Sequence, residues 1–285
     1  YPFITEELLN LSLPFMNYLM PFTYGFTLTG ELIPLDDEAM INRARVYGTR
    51  PVLHLSTLDE NDVFSTENAT YLLDNRQLWD VLLGNLINTM QSKGYFALDV
   101  DFEFLGKENA QKYVEFVTFL RERLNPLGYG VIVALAPKTS DDQPGLLYEG
   151  HDFKGLGEAA NAVLIMTYEW GYTYGPPLAV SPIPNMRQVI EYAITRIDPA
   201  KIFEGISNYG YDFTLPYVKG ESVATSLSTR EAIDLAIATG SEVMYDENAM
   251  APFFYYSKDG QSHVVWFEDA RSIKAKLELL PVYGL

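Results

Sequence analysis

Strand-like and helix-like runs alternate along most of this chain, and that rhythm restricts the fold more than any other feature. Residues 17–26 (NYLMPFTYGF) read as a buried strand. A short strand at 31–34 leads into a helix near 37–47, and PVLHLS (51–56) is the next strand. Residues 76–92 place Trp79, Leu82, Leu83, Leu86, Ile87 and Met90 at helical spacing, with Lys93-Gly94 as the stop. YFALDVDFEF (95–104) follows as a strand. The next helix carries Tyr113, Phe116, Val117, Leu120 and Leu124 on one side and ends at Asn125-Pro126. GVIVALAP (130–137), AVLIMTYEW (162–170) and KIFEGISNYG (201–210) are further strands, with a helix near 185–197 between the last two. Such repeats predict parallel strands joined by right-handed crossovers. At 285 residues the leading architecture is an α/β chain folded as a (β/α)8 TIM barrel. A doubly wound sheet ranks second, because no Gly-rich phosphate turn follows the first strand.

The rhythm breaks at 214–267. Ser228 and Glu231 form a capping-box pattern that opens a helix ending at Gly240. EVMYDE (242–247) and two aromatic-rich runs within 253–267 follow, with Asp259-Gly260 between the runs as a hairpin turn. The expected organisation is therefore barrel strands one to seven with their helices over 1–213, a small α+β insertion over 214–267, and a last barrel helix over 268–285. An eighth strand is missing from the end of the sequence. The expectation is a truncated, open barrel with unpaired strand edges.

Composition closes off several functions. A formal net charge of −18 repels phosphate backbones, so nucleic acid is excluded as a partner. No run of about 18 apolar residues occurs, so a membrane-spanning helix is excluded. There is no cysteine, and the three histidines, His54, His151 and His263, lie far apart in sequence. A zinc site of His and Cys is thus not expected, and no metal or cofactor is assigned.

The chemistry is concentrated in 95–104. Alternation along a strand puts Tyr95, Ala97, Asp99, Asp101 and Glu103 on one face and Phe96, Leu98, Val100, Phe102 and Phe104 on the other. Neighbouring carboxylates in such a column sit roughly 6.5–7 Å apart. At an effective dielectric of about 20, each ionised pair costs about 2 kcal/mol. A buried column of three therefore keeps one carboxyl protonated near neutrality, as a general acid requires. A solvated acidic face and a Mg²⁺ or Ca²⁺ site are the competing readings. The flanking amphipathic helices argue against the first. The second lacks an acidic or histidine partner at another strand end.

These residues also resemble a family. Phe96, Ala97, Asp99, Asp101 and Glu103 are similar to the DxxDxDxE strand of family 18 glycoside hydrolases, with Phe96 in place of the first Asp and Ala97 in place of Gly. Met166, Thr167, Tyr168 and Glu169 resemble the MxYD motif with Glu for Asp, and Gly205-Ile-Ser-Asn208-Tyr209-Gly210-Tyr211 resembles the seventh strand. The whole chain is similar to the bacterial spore-cortex branch, whose members are N-acetylglucosaminidases of germination that often carry LysM modules. The resemblance implies substrate-assisted retention on peptidoglycan, with Glu103 as proton donor and then base. Asp101 holds the acetamido N–H, Asp99 tunes Asp101, and Tyr168 positions the acetamido oxygen. It also implies a place in the spore or cell envelope of a bacterium, and a tryptophan on the missing eighth strand that Trp266 does not replace.

Tyr24, Glu169, Trp170, Asn208 and Tyr209 are candidate substrate contacts, with Tyr172 and Tyr174 as further stacking surfaces. His54, inside an apolar strand, reads as a satisfied core histidine. A lectin-like barrel that has lost catalysis, chitinase-type activity on chitin oligomers and a metal-dependent hydrolase are the competing functions.

Overall fold

A computed structural model of the chain describes residues 4–59 and 63–285. It divides into two compact units, Tyr1–Ala136 with Ser140–Leu164, and Pro137–Thr139 with Ile165–Leu285.

The first unit opens with α1 (Glu6–Ser12), capped by the Thr5 side chain. Then come β1 (Tyr18–Leu19), β2 (Gly25–Phe26), β3 (Leu32–Ile33), α2 (Glu38–Val46), β4 (Arg50–Ser56), α3 (Thr66–Asp74), α4 (Arg76–Lys93) and β5 (Ala97–Asp101). The unit continues through α5 (Ala110–Leu124), β6 (Gly130–Leu135), α6 (Leu146–Glu149), α7 (Phe153–Ala159) and β7 (Ala162–Ile165). The sheet order is β1-β4-β5-β6-β7, with β1–β4, β4–β5 and β5–β6 all parallel. Met20, Val52, Ala97, Ile132, Ala162 and Leu164 meet in one apolar layer on one side of these strands. That is the stacking of inward side chains that fills a parallel barrel.

The helical stripes behave as their spacing requires. Trp79, Leu82, Leu83, Leu86 and Met90 of α4 are buried, and Gly94 ends the helix in the left-handed conformation at φ 66°. All five predicted apolar residues of α5 are buried. Trp79 packs edge-on against Phe116, with centroids 5.1 Å apart.

The second unit contains α8 (Ile183–Ala193), β8 (Ile202–Glu204), β9 (Tyr209–Leu215), β10 (Thr225–Ser228), α9 (Thr229–Thr239), β11 (Met244–Asp246), β12 (Ala251–Lys258), β13 (Gln261–Trp266), α10 (Ala270–Leu277) and α11 (Leu279–Tyr283). β8 extends the parallel order past Ile165, whose carbonyl accepts from the Gly205 amide at 2.8 Å. The other strands form an antiparallel sheet of order β10-β9-β13-β12-β11. One face buries Phe254, Tyr256, Val265 and Phe267 against Ala232 and Ala236 of α9. The other carries Tyr211, Phe213 and Val264 with Phe253 and Trp266. The capping box of Ser228 and Glu231 forms, and Gly240 ends α9 at φ 65°. Asp259 and Gly260 both take positive φ, 53° and 80°, between paired Lys258 and Gln261, as a type I′ turn demands.

Three expectations about strands need correction. Residues 17–26 are two strands, separated by a stretch containing Pro21, which has no N–H for a ladder. Gly25 closes the gap: a Cβ there would fall 2.1 Å from the Leu58 carbonyl oxygen. The strand at 31–34 pairs antiparallel with β2 as a separate hairpin and stays out of the parallel order. Residues 201–210 split as well, and Tyr209 already belongs to the antiparallel sheet, ahead of residue 214. The parallel order therefore has six strands where the sequence suggested seven. The final helical segment is two helices, α10 and α11, and no strand follows them among the described residues.

Candidate active site

In the first unit the site is built on β4 and β5. Their parallel register sets His54 opposite Asp99 and Ser56 opposite Asp101. Asp99 is 0% exposed and Asp101 4%. Alternation holds as predicted, and the middle of β5 is buried on both faces, as a parallel strand between layers must be. The regular strand ends at Asp101, so Glu103 lies just beyond it and is half-buried.

Several contacts hold that turn. Phe102 is buried and stacks on Tyr113, with centroids 5.5 Å apart and planes 6° apart. The Tyr113 hydroxyl donates to the Val100 carbonyl at 3.2 Å. Phe104 takes φ 55°, and its carbonyl accepts from the Thr66 hydroxyl at 2.8 Å. His151 is buried between two backbone groups. Its Nδ1 accepts from the Ala136 N–H at 2.8 Å, so its Nε2 carries the hydrogen that reaches the Phe102 carbonyl at 2.9 Å. The imidazole thus fixes the backbone on the N-terminal side of Glu103.

The electrostatics of the column are set by burial. Burial pushes the Asp99 carboxyl up to about 6, the His54 charge lowers it and the Asp101 charge raises it again. Neither Asp99 oxygen makes a hydrogen bond, nor does Oδ1 of Asp101. Both carboxylates instead face His54, whose Nε2 lies 3.4 Å from Oδ2 of each. Burial pushes the His54 imidazole down, but Asp101, Asp99 and Glu103 together outweigh it, and its net shift is upward. His54 is thus the buried, partnered histidine expected from the sequence, and it also belongs to the acid column. The signal was its place in the strand: two residues from the end of PVLHLS, it falls level with the acids of the next strand. Phe96, in place of the family's first acid, lies half out in solvent, stacked on Tyr18 and under Arg50.

Tyr24 does not offer a face to a sugar. It is 2% exposed, its hydroxyl donates to Asp37 at 2.6 Å, and Lys93 donates to it at 2.8 Å. This Asp37–Lys93–Tyr24–Tyr95 network could not be read from the sequence, because its members come from four separate segments.

In the second unit, half-buried Tyr168 follows β7 and packs beside Tyr211 and Phe213. A Cβ on Gly205 would lie 2.8 Å from its ring, so only glycine lets the ring lie there. Glu169 is exposed, with φ 68°, and accepts hydrogen bonds from the hydroxyls of Tyr209 and Tyr211. Asn208 is exposed, and its carbonyl accepts from Thr229 at 3.2 Å. Trp170 packs against the buried residues of α8, which leaves it half-buried. Tyr172 and Tyr174 are exposed and meet edge to face at 6.4 Å. Two further features were not foreseen. Glu204 accepts from Thr167 at 2.7 Å and is pushed by burial up to about 7. Glu268 and Lys276 form a fully buried ion pair at 2.6 Å.

Fold and site together define a parallel α/β barrel chain that carries a buried carboxylate column at a strand end. The profile of the glycosyl hydrolases family 18 matches residues 70–285. The chain belongs to that family. It is 39% identical over 275 residues to the cortical fragment-lytic enzyme of Bacillus subtilis (strain 168), which covers 95% of this chain and 63% of that protein. Among solved structures, the Bacillus cereus spore cortex-lytic enzyme SleL superposes with a TM-score of 0.93 at 35% identity, over 100% of this chain and 66% of its own. The Bacillus megaterium QM B1551 spore cortex-lytic enzyme SleL gives 0.92 at 39% identity, over 99% and 66%. The chain thus spans just under two-thirds of the length of these relatives.

Proposed function

We propose that the chain is a retaining glycosidase that cleaves N-acetylglucosamine linkages in spore-cortex peptidoglycan, or in its fragments, by substrate-assisted catalysis. The observation that carries this reading is the buried column of Asp99 and Asp101 leading to Glu103 just past the strand end. Its relatives' names, cortical fragment-lytic and spore cortex-lytic enzyme, support the choice of polymer.

Glu103 gives its proton to the glycosidic oxygen as the C1–O bond breaks. The carbonyl oxygen of the substrate's 2-acetamido group bonds to C1 and forms an oxazolinium ion. Asp101 accepts a hydrogen bond from the acetamido N–H and stabilises the positive charge, while Asp99 tunes Asp101 from below. Tyr168 positions the acetamido oxygen. Water then attacks C1, Glu103 takes its proton, and the C1–acetamido bond breaks. Two inversions at C1 give net retention. Glu169, Asn208 and Tyr209 serve as substrate contacts. In the full-length protein, LysM modules and a location in the bacterial spore or cell envelope go with this substrate.

The test is digestion of purified spore cortex and of chitin oligomers, with new reducing ends identified by mass spectrometry and their first-formed anomer by proton NMR. N-acetylglucosamine ends released as the β-anomer from cortex are expected. Muramic acid ends or α-anomers contradict the reading. Turnover of chitin oligomers alone moves it to a chitinase, and tight binding without turnover to a lectin-like barrel.

A further inference from the structure

His54 lies across from Asp99 in the β4–β5 register, and its Nε2 is 3.4 Å from both Asp99 Oδ2 and Asp101 Oδ2. Its other nitrogen, Nδ1, lies 2.6 Å from the Thr23 hydroxyl. Thr23 has one hydroxyl hydrogen and three further oxygens within reach: the carbonyls of Tyr24 and His54 at 3.2 and 3.3 Å, and the Ser56 hydroxyl at 3.1 Å. Carbonyls only accept. When Thr23 donates to one of these oxygens, its lone pair faces Nδ1, and Nδ1 must carry the hydrogen. A neutral ring would then turn the bare Nε2 lone pair toward two carboxylates. A second proton on Nε2 converts that repulsion into two attractions.

We propose that His54 is a positioning residue for the carboxylate column: its imidazolium, wedged between Asp99 and Asp101, keeps Asp101 ionised and turned for the substrate's acetamido group. This inference rests on the catalytic reading of Asp101 given above. The charge count favours it. Asp99, Asp101 and Glu103 act on His54 from β5 and the turn beyond it, and each favours the cation. Thr23 and Ser56 contribute neutral hydroxyls, and the Phe22 ring covers the imidazole with centroids 5.0 Å apart. Tyr113, from α5, adds only a phenol held neutral by burial. Asp99 has no hydrogen-bond donor among the described residues, so the imidazolium is the charge that offsets its burial. In the family's strand the position of Phe96 carries a further acid; here that site holds a phenylalanine outside the column, while a base on the neighbouring strand enters it.

Two measurements on the chain test this. The first is ¹⁵N-edited NMR of the imidazoles across pH 5–8, with His54 assigned by its loss in His54→Gln. The expected result is that both His54 nitrogens are protonated at pH 6 and that the ring titrates above the ordinary histidine value of about 6.5. The second is the pH–rate profile on a fluorogenic N-acetylglucosamine oligosaccharide. His54→Gln removes the positive charge that faces both carboxylates at 3.4 Å, so the acidic limb of kcat moves up by about one pH unit, roughly tenfold in rate below the limb. Thr23→Val shifts the limb in the same direction, and Thr23→Ser restores it, which keeps the test open if His54→Gln folds poorly. A neutral His54 with a free Nε2 at pH 6, or an unmoved limb in folded His54→Gln and Thr23→Val, overturns the proposal. If the wild-type chain hydrolyses no such glycan at any pH, the catalytic reading fails instead, and the NMR result alone decides the charge on His54.

Discussion

The Tyr211 hydroxyl reaches both carboxylate oxygens of Glu169, at 2.9 and 3.1 Å. Tyr209 donates to the same carboxylate, so an exposed acid on a left-handed backbone is held by two phenols from one strand. In Tyr211→Phe one of those anchors is lost and the other stays. A hydrogen bond to a charged group is worth about 1.5–3 kcal/mol, less where a second donor remains. The expected result is a KM raised roughly fivefold with kcat little changed, read from steady-state kinetics on N-acetylglucosamine oligosaccharides. An equal fall in kcat at constant KM would move Glu169 from binding to the chemical step.

Gly205 is the second point of control. A Cβ at this position meets the Ile165 carbonyl oxygen at 2.6 Å and the Tyr168 ring at 2.8 Å. Backbone cannot yield as a flexible side chain can, so Gly205→Ala moves the tyrosine. Overpacking of this kind costs about 1–3 kcal/mol. Urea denaturation should show a lower midpoint, and kcat should fall at least tenfold if, as proposed, the displaced ring orients the acetamido group. A stable variant with unchanged kcat would remove Tyr168 from the mechanism.

Stability should depend on pH through two buried acids. Burial raises the carboxyls of Asp99 and Glu204, to about 6 and about 7 in the folded chain, against ordinary values of 3.8 and 4.5. A folded-state pKa above the unfolded one means that the native state binds the extra proton. The stabilisation is complete below about pH 4 and is lost as pH rises through the folded values. Asp99→Asn and Glu204→Gln each remove one ionisation, so each variant should gain on the wild type between pH 5 and 8. The gain is about 3 kcal/mol per site at pH 8. Parallel stability curves for wild type and variants in chemical denaturation would show that these groups titrate alike in the folded and unfolded chains.

Much of the column could be read from the sequence, because a strand has a period of two and its alternation is local. Asp99 and Asp101 follow from that period alone, and the stripes of α4 and α5 follow from theirs. His54 is the buried, partnered histidine that was expected, but its carboxylate partners could not be read, because they are 45 and 47 residues away and only the register of two parallel strands brings them level. Tyr24 was misread because Asp37 and Lys93, which claim its hydroxyl, lie on other elements. The strands at 17–26 and 201–210 looked continuous because apolar composition carries no mark of where a ladder changes partner. Pro21 in the first was the available signal.

The most direct measurement of the central claim is the turnover of Glu103→Gln on a natural cortex glycan beside the wild-type chain. The glutamine keeps the size and half-buried position of Glu103 but has no acidic proton. Circular dichroism and the melting temperature should match the wild type, while kcat falls by about 10²–10⁴-fold. Part of that loss should return on a substrate with a good leaving group, which needs less protonation. A folded Glu103→Gln chain that turns over natural glycan at nearly the wild-type rate would contradict the account.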